Sequence, residues 1–316
     1  MGAEKASKAF TPSILMAMHN QECDAYTAFT EFPQPPIPLA KCFFKEHATG
    51  RSSGILILED LTETSLSLNF GEDATVGQVM ALAETAGKLQ AFGFNHHELL
   101  QKYFKPKVAQ NPLSIMIAEF EENVELLRKQ IGTDQLRYSQ SELKDLKVAV
   151  QKRLDLFCDP SGFGFTPVLS LGDVQPNNIL WRRDRNDGTK TTADLCALID
   201  FQQAHIGNCM NDMTFTMTLA LPTADRRANS DRFIDKYLSS LDANLDKLKF
   251  PTCPITRREA VAVRDLLMVY FAIVGLSTAT LSQQVMRASG VENKDHIAYT
   301  RPLDVLDDVG KQLINL

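Results

Sequence analysis

Asp173 and Asn178 lie five positions apart, with Gly172 before them and the apolar run Ile179-Leu180-Trp181 after; a second aspartate, Asp200, closes another apolar run, Ala197-Leu198-Ile199. Phosphoryl transfer requires such a set: a carboxylate near the attacking hydroxyl, and an amide oxygen and second carboxylate that hold Mg2+ against the phosphates. A five-residue spacing lets a short loop present a base on one side and turn back to present a metal ligand on the other. Asp and Asn also cap turns and end strands, so neither alone says much. The combination is the specific signal.

The elements that must position these residues follow from the flanking pattern. Val168 to Ser170, Asn178 to Trp181 and Leu195 to Ile199 are short apolar strand candidates, and Asn186-Asp187-Gly188 between the last two is a strong turn signal. A hairpin with a long polar tip is expected. Upstream, Pro38 to Lys45 and Gly54 to Asp60 read as an antiparallel pair. Cys23, Tyr26 and Phe29 recur at three residues, which predicts a helix over Asn20 to Phe32. From Thr75 the period changes to helical. Thr75 with Gln78, Ser139 with Glu142 and Thr256 with Glu259 have capping-box spacing. Leu143, Leu146, Val150, Leu154 and Phe157 form the apolar stripe of the second of these helices, and Leu266 to Leu276 of the third is apolar on every face, as a buried core helix is. The chain therefore divides near 62 to 74 into a small α/β lobe and a larger, mostly helical one.

Composition narrows the partners. With 316 residues, 44% hydrophobic and 23% charged, the chain is long enough for two lobes. Thirty-three Lys plus Arg against 39 Asp plus Glu leave a net charge of −6, the wrong sign for a chain-wide nucleic-acid or anionic-membrane binder. The start of the chain has no apolar signal-like segment, no membrane span is expected, and a cytoplasmic location is the default. Six cysteines without a C-x-x-C pair disfavour a zinc site or a disulfide framework. His205 with Cys209 makes only two ligand candidates, Gly162-Phe-Gly164 reads as a helix stop, and Met210, Met213 and Met217 read as core.

The stretch Leu171-Gly172-Asp173-Val174-Gln175-Pro176-Asn177-Asn178-Ile179-Leu180-Trp181, with Ile199-Asp200-Phe201-Gln202 and Gly207 to Asp212, resembles the choline kinase and aminoglycoside phosphotransferase superfamily. Within it, the stretch resembles the CHK-kinase-like branch, which includes ecdysteroid-kinase-like proteins. His19-Asn20-Gln21-Glu22 with Tyr26 looks like the branch's helix motif, and Ile57 to Leu61 like its hinge. The resemblance covers about 19 to 282 and implies an α+β, two-lobed protein-kinase-like fold, with a truncated N-lobe over 1–61 and a mainly helical C-lobe over 62–316. It implies ATP and Mg2+ as cofactors and a small-molecule alcohol as substrate. Asp173 would be the catalytic base and Asn178 and Asp200 the metal ligands. The backbone of Glu59, Asp60 and Leu61 would meet adenine, Glu22 would pair with a phosphate-binding lysine, and Asp212 would be structural.

The chain departs from that pattern in two places. Lys5 and Lys8 are the only lysines among the 21 residues before Glu22, and Leu171 stands where the family has histidine. Gln90 replaces a frequent helix histidine. These departures point to impaired turnover, and the other readings they support are a pseudokinase or ligand-binding module, or a fragment of a longer kinase.

Overall fold

A computed structural model describes residues 11–32, 35–69, 71–104, 117, 120–131, 138–152, 160–288 and 297–310. The Leu154 and Phe157 end of the apolar stripe lies outside them, as do Lys5 and Lys8.

The small lobe holds helix α1 (Pro12–Thr30) and the antiparallel pair β1 (Cys42–Glu46) and β2 (Ile55–Leu58). Helix α1 begins eight residues earlier than the period of its buried face predicts. Thr11 caps it, accepting from Ile14 N at 3.4 Å, and Pro12 fills the first turn, where a missing N–H costs nothing. The first strand is shorter than its apolar run, because Leu39 leaves the pair. It bridges Leu198 of the large lobe, and Leu198 N donates to Pro38 O at 3.0 Å. The β1–β2 register sets Phe44 opposite Ile57 and Glu46 opposite Ile55.

A three-stranded antiparallel sheet follows: β3 (Ser65–Leu66), β5 (Ile179–Arg183) and β6 (Thr191–Leu198), in the order β3-β5-β6. The expected hairpin is β5–β6. A second small ladder pairs β4 (Val168–Ser170) with β7 (His205–Gly207). Around these pack α2 (Val76–Asn95), the single turn α3 (His97–Leu100), α4 (Phe120–Ile131), α5 (Gln140–Gln151), α6 (Asn211–Leu219), α7 (Thr223–Asn244), α8 (Arg257–Ala288) and α9 (Ile297–Val305).

The boxes opening α2 and α5 form in full. The third forms by half. Thr256 Oγ1 accepts from Glu259 N at 3.1 Å, but the Glu259 carboxylate turns away to accept from Thr166 N, tying the start of α8 to the segment before β4. Helix α8 is long and apolar enough over Arg257–Ala279 to cross a membrane, yet 72% of its apolar window is buried. Val269, Phe271, Ile273 and Val274 lie inside the large lobe, as expected of a core helix. Helices α2 and α7 approach so closely that a Cβ at Gly87 would meet Leu241 N and Tyr237 O at 2.7 Å. Between them Tyr237 Oη donates to Gln90 Oε1, and Gln90 Nε2 donates to Cys209 O at 2.8 Å, so Gln90 holds together α2, α7 and the approach to α6.

Candidate functional site

Two ladder registers assemble the site. In β5–β6, Ile179 faces Leu198, and Ile199 N donates to Asn178 O at 3.1 Å, which carries the register one pair further and leaves Asp200 beside Asn178. In β4–β7, Ser170 faces His205, which sets the loop after Ser170 against residues 202–204. That approach explains Gly172. Its φ is +83°, and a Cβ there would lie 2.3 Å from Gln203 O. The two ladders together bring the Asp173 loop to Asp200.

Asp212 holds the loop. It is buried at the start of α6 and accepts from Ser170 Oγ at 2.8 Å, Leu171 N at 2.9 Å and Gly172 N at 2.9 Å. Asn211 Nδ2 adds a bond at 3.3 Å. Burial pushes the Asp212 carboxyl above its ordinary range, and these four donors pull the other way. The structural role that the resemblance implies for Asp212 is thus what the geometry shows. Thr216 Oγ1 donates to Val174 O at 2.9 Å and fixes the next residue. Leu171, where the family has histidine, is buried in an apolar setting with Leu82, Leu89 and Leu198 nearby, so the brace there is packing and a main-chain bond rather than an imidazole.

Asn178 is buried, and its Nδ2 donates to Asp173 O at 3.0 Å and to Asp200 Oδ2 at 3.3 Å. Gln202 Nε2 reaches the same Asp200 oxygen at 3.2 Å. Asp200 has φ +64°, a left-handed conformation that is uncommon outside glycine, and that turn lets Phe201 enter the core. Phe201 is fully buried against α1, edge-on to Tyr26 at 5.2 Å and to Phe29 at 5.6 Å. Burial raises the Asp200 carboxyl above the usual aspartate range. His205, at the start of β7, has Nδ1 2.7 Å from Gln203 O, a structural contact.

Lys5 and Lys8, the lysines upstream of Glu22, lie outside the described residues, and no described lysine pairs with Glu22; its Oε1 accepts from Phe201 N at 3.4 Å, beside Asp200. Burial, and then the Asp200 charge, raise the Glu22 carboxyl. The other motif residues tie the lobe together. His19 Nε2 lies 2.9 Å from Glu46 O, and Asn20 makes a reciprocal pair with the Ala48 backbone at 3.0 and 2.7 Å.

Glu59, Asp60 and Leu61 line an open cavity of about 400 Å³, with Ala40, Leu58, Leu66, Leu180 and Ile199 supplying apolar walls. Two of its wall residues lie near the site residues in the chain, Ile199 next to Asp200 and Leu180 two residues from Asn178. Glu59 N is bonded to Lys41 O at 2.8 Å and Leu61 O accepts from Ser65 N at 2.9 Å, whereas Glu59 O and Leu61 N have no backbone partner among the described residues. The Asp60 carboxylate closes its own turn onto Thr62 N at 2.9 Å and is held below its ordinary range by the Thr62 hydroxyl and N–H. Sequence reasoning missed Arg183, whose guanidinium donates to Thr62 O at 2.7 and 3.2 Å and to Gly188 O at 2.6 Å, locking the segment after the hinge to the hairpin tip. A basic hairpin tip was the only signal, and it does not separate Arg183 from Arg182 or Arg185.

Asn178 and Asp200 offer hard oxygen donors that suit Mg2+ or Mn2+ rather than softer metals. No three His, Cys, Asp or Glu side chains among the described residues cluster as a metal site, so phosphate and water oxygens would have to complete one.

Comparison with known proteins fits this geometry. The family described as DUF1679, uncharacterized oxidoreductase dhs-27, matches residues 1–310. An uncharacterized kinase-like protein of Caenorhabditis elegans, D1044.1, is 21% identical over 94% of this chain and 77% of its own length. The C. elegans protein dhs-27, named as an uncharacterized oxidoreductase, is 24% identical over 76% of this chain but only 28% of its own length. Among solved structures, a Ralstonia eutropha protein assigned as an aminoglycoside phosphotransferase superposes with a TM-score of 0.51 at 12% identity, covering 95% of this chain and 84% of that one. A Plasmodium vivax ethanolamine kinase gives a TM-score of 0.44 at 16% identity, over 92% and 72%.

Proposed function

The chain belongs to the DUF1679 family and has a two-lobed protein-kinase-like fold, and from its site we propose an ATP- and Mg2+-dependent phosphotransferase acting on a hydroxyl of a small molecule. The observation that carries the reading is the convergence of Asp173, Asn178 and Asp200 by two ladder registers, on segments that also supply Leu180 and Ile199 to the hinge-lined cavity. Kinase-like relatives and phosphotransferase-fold neighbours support it.

In this reading adenine lies between Leu58, Leu66, Leu180 and Ile199, with Glu59 O as its acceptor and Leu61 N as its donor. Asn178 and Asp200 would hold Mg2+, which when bound would supply neutralisation of the charge on the transferring phosphoryl group. Asp173 orients the acceptor hydroxyl and takes its proton, while Asp212 keeps the loop from moving as charge develops. The acceptor alcohol lies on the large-lobe side of Asp173, toward the helices that follow β7.

A second reading, a nucleotide-binding module with little turnover, is favoured by one observation: Glu22 has no lysine partner among the described residues. Phosphoryl transfer from labelled ATP to a panel of small alcohols separates the two. The enzyme reading expects transfer by the wild type and a loss of about 10² to 10⁴ in Asp173→Asn, with nucleotide affinity kept. Equal transfer by Asp173→Asn overturns Asp173 as base, and nucleotide binding with no transfer to any alcohol favours the module.

A further inference from the structure

The tip of the β5–β6 hairpin carries more bonds than a connection between two strands requires. Asp184 Oδ1 accepts from Asn186 N at 2.7 Å and Asp187 N at 3.3 Å, and Asp187 Oδ1 accepts from Thr189 N at 3.1 Å and Thr189 Oγ1 at 2.5 Å. Two main-chain bonds close it, Asp184 N to Lys190 O and Lys190 N to Asp187 O, each at 2.9 Å. Loop tips are ordinarily mobile and tolerant of change. This one is a cross-bonded platform, and it presents the Gly188 carbonyl.

Arg183 joins that platform to the hinge. Its Nη1 donates to Gly188 O at 2.6 Å, while Nη2 and Nε donate to Thr62 O at 2.7 and 3.2 Å. Thr62 in turn closes the hinge turn, its N–H and hydroxyl donating to Asp60 Oδ1 at 2.9 and 2.7 Å. Arg183 N also donates to Thr64 O at 3.1 Å, so main chain and side chain hold the same segment. Arg183 is itself a wall of the hinge cavity, and Leu61 N, the donor assigned above to the base, lies between the two ends of the Asp60–Thr62 bond. A shift of Thr62 therefore moves Leu61 N. The guanidinium bonds are charge-assisted, and a planar fork holds two carbonyls in fixed geometry, as a flexible ammonium does not.

We propose that Arg183 is a positioning residue of the nucleotide site, and that through it the hairpin tip sets where the hinge presents Leu61 N. The inference rests on the nucleotide reading of the cavity and goes beyond it, since neither Asp184 nor Gly188 lines that cavity. The coupling is reciprocal: an ordered tip favours bound nucleotide, and bound nucleotide favours an ordered tip by the same factor.

The test is calorimetric titration of the full chain with a non-hydrolysable ATP analogue and Mg2+, with hydrogen exchange followed over residues 184–190. Arg183→Gln is expected to weaken the analogue about ten-fold or more, and Arg183→Lys to recover part of that loss. Asp184→Ala loosens the tip without touching the cavity and should weaken the analogue about three-fold. Arg185→Gln removes the same charge from an exposed position of the tip and should keep wild-type affinity, which separates geometry from charge. Bound analogue should slow exchange at the tip about ten-fold in the wild type and scarcely in Arg183→Gln; a merely structural Arg183 predicts no such nucleotide-dependent slowing. Wild-type affinity in Arg183→Gln, or tip exchange in the wild type indifferent to the analogue, overturns the inference and leaves the nucleotide reading standing. Equal weakening in Arg185→Gln also overturns it, by assigning the effect to charge. Absence of binding by the wild type overturns both the inference and the reading.

Discussion

The two sides of the cleft are built to different standards. On the large-lobe side, the loop that carries Asp173 is held by a buried carboxylate with four donors, by Thr216 on Val174 and by a left-handed turn at Gly172 that favours glycine. On the small-lobe side, β1 and β2 form a two-stranded sheet with Phe43, Phe44, Ile55 and Ile57 exposed, tied to α1 by His19 and Asn20. An isolated pair of strands is marginal in water. In the proposed reading, the contrast places rigidity where a base and metal ligands would be aimed, and leaves the nucleotide side dependent on a few side-chain ties and on what binds there.

The largest effect that would break this contrast is at Asp212. Asp212→Ala leaves Ser170 Oγ and two main-chain N–H groups buried without an acceptor, and should cost about 3 kcal/mol or more of global stability in a denaturant titration. Gly172→Ala should come next, at about 2 kcal/mol or more, because left-handed strain adds to the clash with Gln203 O. Asn20→Ala should remove about 1 kcal/mol and act locally. Hydrogen exchange should quicken at Ala48 and across β1–β2 while the global melting midpoint scarcely moves; a fall as large as that of Gly172→Ala would show the small lobe to be as integral as the large one.

The smallest effect sharpens the comparison on the large-lobe side. Glu84 bonds Lys236 of α7 and Lys88 of α2, and these lysines hold its carboxyl down to about 2. A carboxyl lowered by folding contributes stability that is present above its unfolded value of 4.5 and is lost as pH falls toward about 2. The ions are more than one-third exposed, so the contribution is small. The acid limb of the wild-type stability curve should therefore fall slightly more between those pH values than that of Glu84→Gln.

Much of the large-lobe site is legible in the sequence, because local spacing encodes it: the Asp173 to Asn178 loop, the Asn186-Asp187-Gly188 hairpin tip and the boxes at Thr75 and Ser139 all form. The small lobe is less legible, because its decisive contacts are long-range. Nothing local to Pro38 or Leu39 announces the bridge to Leu198, and nothing local to Glu22 announces Phe201 N as its partner. The third capping box failed in half for the same reason, since Thr166 competes for Glu259 from 93 positions away. Arg183 was hidden among other basic residues whose roles only the fold of the hairpin separates.

In the proposed reading the hinge cavity and the Asn178–Asp200 pair form one nucleotide and metal site. Calorimetric titration of the chain with a non-hydrolysable ATP analogue, with and without Mg2+, alongside Asp200→Ala, tests it most directly. Binding that Mg2+ strengthens in the wild type and does not strengthen in the variant is expected. Nucleotide binding indifferent to Mg2+ and to Asp200, or no binding at all, would contradict it.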